Sequence, residues 1–219
     1  MCGGPARREG DVVQLPTTTG PSPGTVAGLV LAAGAGRRYG RPKALVRHSG
    51  PLLVERAVRT LVEAGCAPAL VVLGAAADRV RAVADLSGAR VVGNPRWATG
   101  MGSSLRVGLT ALTATDAVAV VVLLVDMPGI SAEAIRRVAA DAGPAALATA
   151  GYGPGRRGHP VLLGREHWTG VLASATGDTG AGGYLRQRLD RVRIVPCADV
   201  AHDADLDVPP ADEGRPGGG

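Results

Sequence analysis

Val26-Ala-Gly-Leu-Val-Leu-Ala-Ala-Gly-Ala-Gly-Arg-Arg-Tyr-Gly-Arg-Pro-Lys43 is an apolar run that breaks into a glycine-rich loop and ends on a lysine. Residues 26–32 have the length and continuous apolar character of a buried strand. The glycines that follow let backbone N–H groups approach a phosphate with no Cβ in the way. Lys43 is the only lysine among 24 basic side chains; the other 23 are arginine. An ammonium is a compact point charge and a guanidinium a planar fork, so the two are not interchangeable at a phosphate. The plainer alternative is a chance survivor in an arginine-biased composition.

Outward from this stretch, apolar runs alternate with helical spacing. Strands are expected over residues 69–73, 89–92, 117–125, 145–149, 160–163 and 192–195. Helices are expected over 52–64, 78–86, 104–112 (with Ser103 as its cap), 131–141 and 184–189. Strands alternating with helices predict a layered α/β fold with a mainly parallel sheet. Ligands of such sheets collect at the carboxyl ends of the strands. The loop over 34–43, the turn at Asp126 and the segment after residue 92 should therefore share one edge. The 219 residues suffice for one domain with a full core, placed here at 25–210. Residues 1–24 and 211–219 lack a periodic apolar pattern and are read as disordered tails. Hydrophobic residues make up 46% of the chain but aromatics only 2%, with no Phe, so the core must be aliphatic.

The net charge is +5 and comes from arginines scattered along the chain. With few aromatic rings to stack on bases, this charge favours anionic small molecules over nucleic acid. The longest apolar run is far short of a membrane span, and the N-terminus lacks the apolar core of a signal peptide. The three cysteines have no metal-binding spacing, which fits a reducing cytoplasm. A cytoplasmic protein with neither a nucleic-acid nor a membrane partner is expected.

Two familiar glycine loops are excluded. No stretch matches G-x-x-x-x-G-K-[ST]. The dinucleotide fingerprint G-x-G-x-x-G fails at Tyr39, and no acidic residue closes the second strand, which ends Val72-Leu73-Gly74. What remains is a loop in which Arg38 and Lys43 can neutralise a triphosphate. Asp126 ends the run over 120–125, where a carboxylate is placed to hold Mg²⁺ (or Mn²⁺) against a phosphate; the alternative is an Asp that caps the next segment. Asp205-Leu-Asp207 offers a further metal carboxylate or is a solvated turn. Asn94-Pro-Arg-Trp-Ala-Thr-Gly100-Met-Gly102-Ser103-Ser104-Leu-Arg106 is a glycine turn opening a helix with two hydroxyls; it presents N–H and O–H groups to a base or ribose, or simply starts a helix.

Together these segments resemble the nucleotidyltransferases of molybdenum cofactor biosynthesis, most closely the molybdenum cofactor cytidylyltransferases. The likeness spans about residues 26–210. It rests on Leu31-Ala-Ala-Gly34 with Arg38 and Lys43, Gly102-Ser-Ser-Leu105 and Leu124-Val-Asp126-Met-Pro128. It continues through Gly158-His-Pro-Val-Leu-Leu-Gly-Arg165, Gly177-Asp178-Thr-Gly180-Ala181 and Asp205-Leu-Asp207. The resemblance implies a Rossmann-like, three-layer nucleotidyltransferase fold of the GT-A-like kind.

It also implies CMP transfer from CTP to the phosphate of molybdopterin or its molybdenum form, with Mg²⁺ (or Mn²⁺). CTP, a phosphorylated pterin and a client molybdoenzyme would be the partners. Arg38 and Lys43 would touch the triphosphate, and Asp126 and Asp207 would bind metal. Leu31, Ala32, Ala33, Gly34, Gly36, Gly102, Ser103 and Ser104 would surround the nucleotide. His159 and Asp178 would lie on the acceptor side, though either could simply serve its own loop. Ala33 stands where guanylyl-transferring relatives carry Gly, and its methyl would crowd the 2-amino group of guanine. Tyr39 replaces the usual Met, and Val208 the usual Thr after the second Asp. Alternatives are a GTP-dependent guanylyltransferase, a sugar- or alditol-phosphate nucleotidyltransferase, and a non-catalytic module that delivers cofactor.

A chain starting at Thr25 should keep the melting temperature and turnover of the full chain, because residues 1–24 have no apolar pattern with which to join a core. A clear fall in either, measured side by side, would show that the tail docks.

Overall fold

A computed structural model of the chain describes residues 24–206. Residues 1–23 and 207–219 lie outside the described residues; with them go the expected tails over 1–24 (all but Gly24) and 211–219, and also Asp207 and Val208 of the expected domain. Seven strands form one sheet: β1 Val26–Ala32, β2 Ala69–Leu73, β3 Arg90–Gly93, β4 Ala119–Leu124, β5 Leu147–Gly151, β6 Arg157–Gly164 and β7 Arg193–Pro196. Their order across the sheet is β3-β2-β1-β4-β6-β5-β7. The helices are α1 Leu53–Glu63, α2 Ala77–Val83, α3 Met101–Leu112, α4 Ala132–Ala139, α5 Arg165–Ser174 and α6 Gly182–Arg186.

Both faces of the sheet are covered, which is why its central strands read as unbroken apolar runs. Alternate residues of β1 feed two separate cores. Val30 and Ala32 join α1, α2 and α4 through Leu53, Val54, Leu61, Val80 and Ile135. Ala27, Leu29 and Leu31 join α3, α5 and α6 through Leu105, Leu109, Trp168 and Tyr184. The result is three layers with the sheet in the middle. Tyr39, the replacement for Met in the glycine loop, is buried in the first of these cores and anchors the loop from beneath.

The mainly parallel sheet expected from the sequence is observed, with one exception in direction. Strand β6 runs antiparallel to both β4 and β5. Only residues 152–156 separate β5 from β6, too short a link for a crossover, so the pair must form a hairpin. Helix α5 is not legible as a periodic pattern because its inner face carries His167 and Gly170 among the apolar residues. His167 is buried, donates from Nε2 to the Ala145 carbonyl at 3.0 Å and accepts at Nδ1 from the Tyr184 hydroxyl at 2.9 Å. A Cβ on Gly170 would come within 2.4 Å of the Tyr184 ring. Ser131 caps α4 as expected, accepting from Ala134 N at 3.1 Å. Ser103 does not cap α3, which starts earlier, at Met101.

Strand β1 sits where the chain reverses its winding, with β2 on one side and β4 on the other, both parallel to it. Leu31 is level with Leu124, so the loop after β1 and the turn after β4 leave the sheet side by side.

Gly164, between β6 and α5, has no room for a side chain: a Cβ would lie 2.3 Å from the Pro144 carbonyl and 2.6 Å from that of Gly143. Both neighbours are backbone, so Gly164→Ala should destabilise by about 1–3 kcal/mol, as overpacking does. Gly143, whose added Cβ meets nothing within 4 Å, should tolerate alanine with an unchanged or slightly raised melting temperature. Thermal melts of the two variants test the contrast.

Candidate active site

Two cavities open at the carboxyl edge of the sheet. The first is a cleft of about 580 Å³ between the glycine loop, the start of α3 and the turn after β4. Of the residues singled out in the sequence, Leu31, Ala33, Gly34, Gly36, Arg38, Lys43, Ser104, Asp126 and Asp178 line it. Within the glycine loop, two glycines have different reasons to be there. Gly36 has φ +61 and a Cβ there would strike the Arg41 carbonyl, so the protein itself requires it. Gly34 borders open space with nothing within 4 Å of its missing Cβ. Its bareness faces the cleft, where a phosphate could approach the backbone.

Lys43 and Asp126 face each other across the floor of this cleft. The Lys43 ammonium donates to the Asp126 carboxylate at 2.8 Å, with only 13% and 21% of the two side chains exposed. Lys43 lies at the first residue of a short 3-10 turn, and Asp126 follows β4. Partial burial keeps the charges from being screened as a surface pair would be. An anionic phosphate and a divalent cation entering together could exchange for this pair without leaving either charge alone.

One side of the cleft is braced by a residue of the expected glycine-turn segment to which the sequence assigns no role of its own. Asn94, just past β3, is 3% exposed. Its Nδ2 donates to Ser103 Oγ at 2.8 Å and Ser104 Oγ at 3.0 Å, and its Oδ1 accepts from Arg96 N at 3.0 Å. A single buried amide thus fixes the loop over 94–100 against the first turn of α3. Ser103 is turned into this network, donating to the carbonyls of Gly100 and Arg96, while Ser104 also borders the cleft. Trp97, from the same segment, is the other residue to which the sequence assigns no role of its own. It lines the cleft, and a Cβ on Gly74 would come within 2.4 Å of its own Cβ. It joins the apolar cluster that contains Leu31 and Ala33 and offers the cleft an aromatic wall.

Ala32 and Gly102 do not line the cleft. Ala32 faces the opposite core. Gly102 lets α3 approach the chain after α5, where a Cβ would sit 2.9 Å from the backbone of Ala175 and Thr176. Asp178 accepts from Met101 N at 3.2 Å at the same junction, bordering the first cleft.

His159 lines the second cavity, a chamber of about 550 Å³ that shares Leu31, Met101 and Leu124 with the first. Its Nδ1 meets the Val122 carbonyl at 3.0 Å. Burial holds its pKa below the ordinary histidine value, against the smaller opposing pull of that hydrogen bond and of the Asp126 charge.

Among the described residues, no cluster of three or more His, Cys, Asp or Glu could cage a metal. Asp126 beside a phosphate loop still suits Mg²⁺ or Mn²⁺, which keep several waters and share substrate phosphates with one or two carboxylates. No helix among the described residues is long and apolar enough to cross a membrane.

Residues 28–192 match the family of MobA-like NTP transferase domains. The nicotine blue oxidoreductase of Paenarthrobacter nicotinovorans is 38% identical over 189 residues, 83% of this chain and 92% of that protein. The molybdenum cofactor guanylyltransferase of Rhodobacter capsulatus is 33% identical over 151 residues, 67% of either chain. A Mycobacterium tuberculosis H37Rv protein crystallised in complex with manganese shares the fold with a TM-score of 0.64 at 28% identity, covering 83% of this chain and 94% of that one.

Replacing Lys43 tests the charge pair. Lys43→Ala should lower turnover roughly 10²–10³-fold, the usual cost of removing one preorganised charge contact. Lys43→Arg should recover only part of that, because a planar fork cannot take the place of an ammonium between a carboxylate and a phosphate. Wild-type turnover in Lys43→Arg would contradict the geometry.

Proposed function

We propose that this chain, which belongs to the family of MobA-like NTP transferase domains, transfers CMP from CTP to the terminal phosphate of molybdopterin or of its molybdenum form. The chain is a nucleotidyltransferase; the donor base and the acceptor are the proposal. The observation that carries it is the meeting of the bare Gly34 backbone, Lys43 and Asp126 in one cleft that opens into a second chamber.

In this reading an acceptor phosphate oxygen attacks the α-phosphorus of CTP as the bond to the pyrophosphate oxygen breaks in line. The nucleophile is already an anion, so no residue has to remove a proton. The protein's work is alignment and charge compensation. Backbone N–H groups of the glycine loop hold the triphosphate, and Lys43 and Arg38 offset charge on the departing pyrophosphate. Asp126, with Asp207, would hold Mg²⁺, which neutralises the phosphate oxygens when bound. The manganese complex of the mycobacterial relative supports a divalent ion in this fold. Trp97 and the Asn94-braced α3 turn supply the walls for base and ribose. The free, buried thiols of Cys66 and Cys197 fit a cytoplasmic setting.

Ala33 carries the choice of base. It lies at the end of β1 in the cleft wall, 5% exposed, where a methyl would press on the 2-amino group of guanine but meet nothing on cytosine. The Rhodobacter relative's name favours GTP instead. A second reading takes its support from the relative named an oxidoreductase, which is alike over nearly its full length. That reading expects a reduced cofactor to be consumed and no pyrophosphate to appear.

Incubating the protein with molybdopterin and each nucleoside triphosphate, measuring pyrophosphate and weighing the product, separates these readings. The cytosine dinucleotide is expected from wild type. Ala33→Gly should narrow the preference for CTP over GTP by about 10–200-fold, the range a single methyl commands. Equal use of both nucleotides by wild type would remove Ala33 as the selector. No pyrophosphate from any triphosphate would overturn nucleotidyl transfer to this acceptor.

A further inference from the structure

The second chamber, read above as the acceptor's, has an unusual polarity. Most of its lining is aliphatic or glycine; Thr149 and His159 are the polar side chains set into it, and Thr179, Arg157 and Arg186 are exposed at its border. Each of the three uncharged polar groups has its hydrogen committed elsewhere. The Thr149 hydroxyl donates to the Gly158 carbonyl at 2.6 Å. The Thr179 hydroxyl donates to the Thr176 carbonyl at 2.7 Å. His159 Nδ1 faces the Val122 carbonyl at 3.0 Å; a carbonyl can only accept, so the ring proton sits on Nδ1. Burial disfavours a second proton on this ring, which leaves Nε2 with a bare lone pair. No side chain or backbone group among the described residues hydrogen-bonds Nε2, and it is not among the sealed, unpartnered atoms.

We infer that this chamber reads hydrogen-bond donors: it takes a flat, largely apolar heterocycle that presents N–H groups inward, with His159 Nε2 as the main acceptor. The side-chain donors that remain are the two border arginines, so anionic groups of the same ligand are met at the rim and the donor-bearing edge inside. An edge that offers only carbonyls or N-methyl groups would face lone pairs and leave them unpaired, which a buried site rejects more strongly than it rewards a match. The inference rests on the chamber being the acceptor's and adds which edge of the acceptor it recognises. His159 is then a specificity residue with no part in proton transfer.

Two ring probes of similar size test this without the cofactor or the reaction. Pterin carries an amino group and a ring N–H; 1,3-dimethyllumazine has neither. Fluorescence titration of wild type should show pterin binding roughly tenfold or more tightly than dimethyllumazine, about the worth of one or two neutral hydrogen bonds. His159→Asn keeps a donor near Val122 O but removes the Nε2 lone pair. It should weaken pterin about three- to tenfold, leave dimethyllumazine and CTP binding unchanged, and melt like wild type. Equal binding of the two probes to wild type, no binding of pterin, or an unchanged ratio in a folded His159→Asn would overturn the inference. Should that variant not fold, the probe pair on wild type decides alone. A probe pattern as expected with no dinucleotide product from CTP and molybdopterin would overturn the proposed function and leave the donor-reading chamber standing.

Discussion

The parallel pairing of β1 with β4 is the constraint on which everything else depends. Its register levels Leu31 with Leu124, so the glycine loop and the Asp126 turn emerge at the same height from adjacent strands. Val125 N donates to the Leu31 carbonyl at 3.2 Å and carries the alignment one residue beyond the strands. A slip of one residue would exchange the cores that Val30 and Leu31 enter and separate Lys43 from Asp126. The apolar faces on both sides therefore hold the polar site in place: Leu29 and Val30 are fully buried against different helical layers. Catalytic geometry here follows from core packing.

Charge and hydrogen bonding divide the site into two kinds of space. The first cleft brings cations and a carboxylate around a bare stretch of backbone, which suits phosphate and metal. The second offers lone pairs inside an aliphatic shell. They join at Leu31, Met101 and Leu124, so two ligands of opposite chemical character would meet over the end of β1. That arrangement suits a transferase, which must hold donor and acceptor without exchanging their places. It also accounts for the single lysine. Elsewhere arginine serves through its fork: Arg137 grips both oxygens of Asp199, at 2.7 and 2.9 Å, and Arg165 spans the carbonyls of Thr113, Thr115 and Ala117. Beside Asp126 a compact charge is needed.

Much of this was legible in the sequence, and the failures have physical causes. Strands β1 and β2 are continuous apolar runs because both faces are buried, and their ends are as expected. Helix α5 escaped notice because its inward face uses a hydrogen-bonded histidine and a glycine in place of aliphatic residues. The reversed direction of β6 is a property of the short link at 152–156 and has no periodic signature. Within the site, glycines, Lys43 and Asp126 announce themselves by residue type and position. Asn94 does not, since its role is to bridge two serines that only folding brings to it. The acceptor character of Thr149 and Thr179 is invisible for the same reason: it depends on which carbonyl each hydroxyl finds. The sequence's Asp207 lies outside the described residues, so the second carboxylate remains a proposal.

The most direct test of the account is a crystal structure of the protein with CTP and Mn²⁺, with the metal located by its anomalous scattering. The account predicts the triphosphate against the backbone of Gly34 and Gly36, manganese bonded to Asp126, and the Lys43 ammonium moved from that carboxylate onto phosphate. CTP bound elsewhere, or CTP in the cleft with Lys43 still closed on Asp126 and no metal between them, would contradict it.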